Sequence, residues 1–175
     1  RLDEAETHLH KALAAEPALL PAHLELGLVQ QMNEDWPAAR ACFEAAHALD
    51  SDNPQILNAI GYCWQREGNF RKAIAPWRKA IKLDANYAGV WQNLALAHEH
   101  LDELAEAIEC HQQAVAQQPN DANAHRLLGM AQLDFGLHDA ARKCNQRALE
   151  LMPEDPEAHW QRFFLRALEG DFPGA

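Results

Sequence analysis

This 175-residue sequence predicts an all-α solenoid of antiparallel helix pairs, on three observations. Alanines recur every 34 positions, at Ala5, Ala39, Ala73, Ala107, Ala141 and Ala175, and again at Ala12, Ala46, Ala80, Ala114 and Ala148. A column of a large then a small residue keeps the same period, as Leu26-Gly27, Ile60-Gly61, Leu94-Ala95 and Leu128-Gly129. Each period also holds two stretches of about 12 to 15 residues with apolar positions three and four apart, the spacing of one helix face. Such a period marks stacked units, each of which needs its neighbour to bury its apolar face.

The elements follow in order. Residues 1–19 supply the second helix of a partial unit, with Ala5 and Ala12 in the two columns and Pro17 beyond its end. The unit 20–53 begins the full repeats, and Ser51 marks the end of its second helix. In the unit 54–87, Asn53-Pro54 puts a capping side chain before a proline whose missing N–H costs nothing at the first helical position. Gly68 lies between its two helices, where a left-handed residue ends the first. Pro76 falls inside its second helix, removes a backbone bond, and predicts a kink. The unit 88–121 keeps both alanine columns and ends at Pro119. The unit 122–155 places Gly136 as Gly68 is placed, and ends at Pro153. Asp155-Pro156 then caps the first helix of a last unit, 156–175, which has no second helix. A chain that starts inside one unit and stops inside another is expected to be a fragment of a longer array.

These columns resemble the tetratricopeptide repeat (TPR), whose pattern is Trp-x2-Leu-Gly-x2-Tyr, then Ala-x3-Phe, then Ala and Pro. The resemblance covers the whole chain and is clearest in the second unit, where Leu57, Ile60, Gly61 and Trp64 are followed by Ala73, Trp77 and Ala80. It implies a right-handed α-solenoid, the TPR superhelix, whose first helices line a concave groove.

Composition narrows the function. Fifteen Lys and Arg against 26 Asp and Glu give a formal charge of −11, with no basic block, so no nucleic-acid partner is expected. No apolar run approaches the ~20 residues of a membrane span, and no signal peptide opens the chain. A soluble, cytoplasmic protein without membrane insertion is the expectation. Cys42, Cys63, Cys110 and Cys144 include no Cys-x-x-Cys pair and read as free thiols. Cys42, Cys110 and Cys144 share one column of the second helices, about a helix diameter apart and beyond disulfide reach.

The stretch "LAHEHLDELAEAIECHQQA" gathers His98, His100, Cys110 and His111, all residue types that bind zinc. The period disperses them. His98 and His111 fall on facing positions of one hairpin, where the preceding unit has Trp64 and Trp77, while His100 and Cys110 point elsewhere. A buried imidazole pair is expected there, with a unit that loosens as pH falls toward 5. Neither a metal nor a cofactor is expected. There is no nucleophile elbow, phosphate-binding glycine loop or His-Glu-x-x-His, so no catalytic residue is assigned. Carboxylates such as Glu103 with Glu106, and Glu154 with Asp155, read as solvated surface.

Residues four apart share a helix face. With the groove that the resemblance implies, the candidate peptide-binding residues are Leu24, Leu28, Asn58, Tyr62, Gln92, Leu96, Arg126, Met130, Trp160 and Phe164. Their mixture of apolar and amide side chains suits a protein or peptide ligand. The carboxylate clamp of chaperone-binding members has no counterpart, since its columns hold Leu24, Leu28, Ala59, Gly89 and Asn93, or Asn58, Tyr62, Asn93, Asn123 and Leu127. Nor is there the asparagine ladder of the O-linked N-acetylglucosamine transferases, because that column reads Glu25, Ala59, Asn93, Leu127 and Gln161.

The reading that follows is a protein-interaction scaffold without catalysis. The alternative is the substrate-presenting or oligomerising arm of a bacterial glycosyltransferase. The last segment, "PEAHWQRFFLRALEGDF", resembles the end of such arms, although Arg162 and Arg166 replace the Leu and Tyr of the repeat pattern. Those arginines suit an outward polar face or a contact with a following domain. Self-association through array ends that expose Leu2, Leu9 and Leu13 is a further expectation.

Overall fold

The computed structural model describes residues 2–168. Among them are ten helices and no strand: α1 (Leu2–Ala15), α2 (Leu20–Met32), α3 (Trp36–Leu49), α4 (Pro54–Arg66), α5 (Phe70–Leu83), α6 (Ala88–His100), α7 (Leu104–Gln117), α8 (Ala122–Asp134), α9 (His138–Leu151) and α10 (Pro156–Leu168). This is an all-α helical repeat fold. The chain divides into two compact units, Arg1–Val90 and Trp91–Ala175. Ala175 and the Gly170-Asp171-Phe172 segment lie outside the described residues.

α3, α4, α8 and α10 start where a side chain accepts from the free backbone amides of the first turn, whereas α2, α5, α7 and α9 have no side-chain cap. Asn53 Oδ1 accepts from the amides of Gln55 and Ile56 at 3.1 and 3.4 Å, and Asp155 Oδ1 accepts from Glu157 and Ala158 at 3.0 and 3.3 Å. Asp35 and Asp121 cap α3 and α8 in the same manner. α5 continues through Pro76 to Leu83 as a single helix, so the absent N–H interrupts no element.

The four turns within the pairs have one geometry. In the second pair Gly68 N donates to Gln65 O at 2.9 Å and Asn69 N to Trp64 O at 2.8 Å; in the fourth, Gly136 N donates to Leu133 O and Leu137 N to Gln132 O. This double bond pattern around a left-handed residue is the Schellman ending. Gly68 and Gly136 have φ of 75° and 83°. The other two turns make the same bonds with Glu34 and Asp102 at φ of 59° and 60°, although neither is glycine.

With the turns set, each first helix meets its second helix at very short range. A Cβ added to Gly27 would lie 2.6 Å from the Phe43 ring, one on Gly61 would strike the Trp77 ring, and one on Gly129 would come within 3.3 Å of Ala141 O. Ala39, Ala46, Ala73 and Ala80 in the first unit are sealed from solvent, as are Ala107, Ala114, Ala141 and Ala148 in the second. The columns are therefore the contact seam. Ala5 and Ala12 on α1 are only half-buried, and α1 has no buried residue.

In the first unit the core joins Ala39, Phe43 and Ala46 to Ile56, Ile60 and Cys63, with Trp64 packed on it. Arg40 lies 3.7 Å and Lys72 4.4 Å from the Trp64 ring centre, while Trp77 is wholly buried beneath Gly61. Cys63 is fully enclosed, and burial pushes its thiol from 9.0 up to about 11. In the second unit Ile108, Leu128 and Ala131 form the core with Val115 and Cys144.

Two stability measurements follow. Gly61→Ala crowds Trp77 and is expected to cost about 1–3 kcal/mol in denaturant titrations, whereas Gly68→Ala, with open space around it, costs only the left-handed strain of about 1–2 kcal/mol. A Gly61→Ala variant as stable as wild type would contradict the seam. For Cys63, folded and unfolded chains both hold the thiol proton below pH 9.0; between there and about 11 the unfolded chain ionises first, so stability falls as pH rises. Cys63→Ala should flatten that alkaline decline relative to wild type, and an identical slope would place the loss elsewhere.

Candidate functional site

The ten groove positions fall on first helices and have different surroundings. In the first unit Leu24 is half-buried against the core and Leu28 is 54% exposed. Together they line a cavity of about 230 Å³ with Phe43, Ile56 and Ala59, and with Asn53 and Gln55 at its polar edge. Asn58 is drawn into the fold: Trp77 Nε1 donates to its Oδ1 at 3.0 Å and its backbone oxygen at 3.3 Å, and its Nδ2 donates to Tyr87 OH at 3.2 Å. Tyr62 OH accepts from Arg66 Nη1 at 3.1 Å, and its ring meets Trp36 edge-on with centroids 5.9 Å apart. Arg66 also covers Trp36, 4.4 Å from the ring centre.

In the second unit Gln92 is half-buried, while Leu96 and Met130 are exposed. Arg126 binds α10 to α8: its guanidinium donates to Asn123 Oδ1 at 2.6 Å and pairs with Asp155 at 3.6 Å and with Glu157. Its backbone oxygen accepts from Gln161 Nε2 at 3.1 Å. Trp160 and Phe164 are exposed, and Trp160 stacks on Phe163 with centroids 5.7 Å apart.

His98 and His111 are both buried, and each has a carboxylate of its own. His98 Nδ1 lies 2.7 Å from Glu103 Oε2, and His111 Nε2 lies 2.9 Å from Glu99 Oε1. Each buried imidazole is therefore hydrogen-bonded to a carboxylate of its own hairpin. Glu103 is thus a partner of a core histidine and not simply solvated surface. Asp155 likewise is buried, capping α10 and pairing with Arg126. Among the described residues, no three His, Cys, Asp or Glu side chains are grouped to hold a metal. Cys42, Cys63 and Cys144 are free thiols, and burial raises Cys42 and Cys144 as it does Cys63. That raises the cost of the reactive thiolate form.

The periodic reading found the faces but missed Glu99, Glu103 and Glu157, and the pairing of the cap Asp155 with Arg126, because these contacts serve single repeats. Partner choice for Asn58 and Arg126 was equally invisible, because it depends on side chains one element away. Among the described residues no helix is long and apolar enough to cross a membrane.

Two models described as tetratricopeptide repeat match residues 24–88 and 86–154. The chain is 30% identical over 124 residues to the Tetratricopeptide repeat domain-containing protein PYG7, chloroplastic, of Arabidopsis thaliana, an overlap of 69% of this chain and 41% of that protein. It therefore spans less than half of that relative. Among solved structures it is similar to MamA, with a TM-score of 0.83 and 25% identity over 87% of this chain and 90% of that one. It also shares its fold with YrrB, described as a TPR protein with an unusual peptide-binding site, at a TM-score of 0.81 and 19% identity over 93% and 84% of the two chains.

Proposed function

Because the chain belongs to the tetratricopeptide repeat family, we propose that it is a protein-interaction module that holds a peptide or protein segment against the exposed faces of its first helices. It performs no chemistry of its own in this reading, in keeping with a family whose members are in general non-catalytic scaffolds. The observation that supports it best is the cavity between α2 and α4. At about 230 Å³ it is smaller than the ~300–1,000 Å³ of small-molecule sites, but suits one large apolar side chain. Gln55 at its edge is exposed, and its amide can bond the backbone that carries that side chain.

The second unit contributes Leu96, Met130 and Phe164, which are 36%, 40% and 44% exposed. The exposed parts of these apolar side chains are available as further anchors. Each filled anchor contributes about 1.5–3 kcal/mol before ordering costs. Two or three of them give a binder in the micromolar range, about 8 kcal/mol at 1 μM, only when backbone hydrogen bonds add to the anchors. Asn58 and Arg126 act here as struts that orient α4 and α8, while Tyr62 and Gln92 border the ligand. The alternative arm of a glycosyltransferase places the same face beside a catalytic domain, and the sequence that follows Ala175 distinguishes it.

Peptides selected from a random display library against the protein test the groove. Leu28→Glu sets a carboxylate at the cavity mouth and is expected to weaken the selected peptides at least about tenfold without altering the helical circular dichroism. Met32→Glu, on a side chain that is 68% exposed and outside the cavity, should leave them unchanged. Full retention by Leu28→Glu would move the site to another face.

A further inference from the structure

The face of α4 that borders the α2–α4 cavity continues to a guanidinium. Gln55, Ala59, Tyr62 and Arg66 follow one another at spacings of three and four, so they share one face of that helix. The first two line the cavity, and the last two lie beyond it toward the end of α4. Arg66 is exposed, yet it is held in place. Its Nη1 donates to Tyr62 OH at 3.1 Å, and its guanidinium carbon lies 4.4 Å from the centre of the Trp36 ring and 5.8 Å from that of Tyr62. The two rings meet edge-on, with centroids 5.9 Å apart.

A hydroxyl and two rings hold Arg66, and among the described residues no carboxylate is paired with it. Arg40, Arg126 and Arg147 each have one. The carboxylates next to this cluster in sequence are engaged elsewhere: Asp35 accepts from Ala38 N at 3.0 Å, and Glu67 from Arg40 Nε at 2.8 Å. A chain of net charge −11 therefore keeps one ordered cation without a counter-ion beside its apolar cavity. The opening lies inside the array, because α2 packs on α3, and α4 on α3 and α5, within the same unit. Each residue from Leu2 to Leu168 belongs to a helix or to a turn of three or four residues, which leaves no described segment spare to fold back over this face.

We propose that this face reads an extended acidic peptide of a partner protein, in which one large apolar side chain fills the cavity and an Asp or Glu two residues away pairs with Arg66. The site presupposes the first-helix groove and adds to it a charge and a spacing. A carboxylate fits because a guanidinium stacked on rings keeps its N–H edge open for two parallel bonds. Extended chain fits because Gln55, exposed at the cavity edge, bonds only a backbone whose own N–H and C=O groups are free. Side chains on a helix lean toward its N-terminus. That brings the guanidinium back over Tyr62, about one turn or ~5 Å beyond Ala59. Two residues of extended chain cover about 7 Å and return to the same side.

The test uses short fluorescein-labelled peptides with one leucine in a neutral background and Glu or Gln two residues before or after it. In anisotropy titrations at about 0.15 M salt, one of the two orders should bind about threefold to tenfold more tightly with Glu than with Gln. A Glu three residues away, on the opposite side of an extended chain, should give no gain. Arg66→Gln should abolish the gain while the affinity for the Gln peptide and the helical circular dichroism stay unchanged. Leu28→Glu should weaken both peptides, since both need the cavity. Equal binding of the Glu and Gln peptides that still depends on Leu28 overturns the Arg66 site and leaves the groove standing. A Glu preference that survives Arg66→Gln overturns it as well. So does tighter binding of both peptides to Arg66→Gln, since acidic residues of the chain itself then occupy the site. If neither peptide binds, or if binding ignores Leu28, the groove fails and the site falls with it.

Discussion

The close approach of the two helices in each pair is the constraint on which the rest of the structure depends. It admits only glycine or alanine along the seam, and the same spacing sets a facing slot that one larger side chain must fill. Phe43, Trp77, His111 and Asn145 occupy that slot in successive pairs, and all are almost completely buried. Where the occupant is apolar, the slot is simply packed. Where it is polar, the fold supplies a partner for at least one atom: Glu99 at 2.9 Å for His111 Nε2, although His111 Nδ1 is buried without one, and the backbone of Ala158 at 2.7 Å for Asn145. Each buried polar group left unpartnered in that place costs about 1–3 kcal/mol, which these bonds reduce.

Legibility in the sequence followed recurrence. Ala73, Gly61 and their equivalents could be read because a steric demand repeats with the stacking, and Asn53 and Asp155 because capping is a local rule. Glu34 and Asp102 were hidden, since the left-handed turn they occupy is usually announced by glycine and here is held by backbone bonds to Gln31 and Gln30, and to Glu99 and His98. The candidate groove was legible as a face and not as a site. Spacing puts Leu28, Asn58 and Arg126 on the same sides of their helices, but it does not tell an open leucine from an amide held by Trp77 and Tyr87 or a guanidinium held by Asp155 and Glu157. Those outcomes depend on the next element, which the period does not encode.

Separating the seam from the faces gives the protein its freedom. The alanines and glycines carry the fold, so the exposed side of the first helices can vary without weakening it. The last helix extends this logic. Arg162, Phe163 and Arg166 depart from the seam chemistry on one side of α10, while Ala158 and Gln161 are buried.

A saturation scan of folded abundance tests this division most directly. The account predicts intolerance concentrated at Gly27, Gly61, Ala73, Ala107, Gly129 and Ala141, with Leu28, Leu96, Met130 and Phe164 accepting even charged residues at near wild-type abundance. If those four exposed positions prove as intolerant as the seam, the first-helix faces are part of the folding core and the division is wrong.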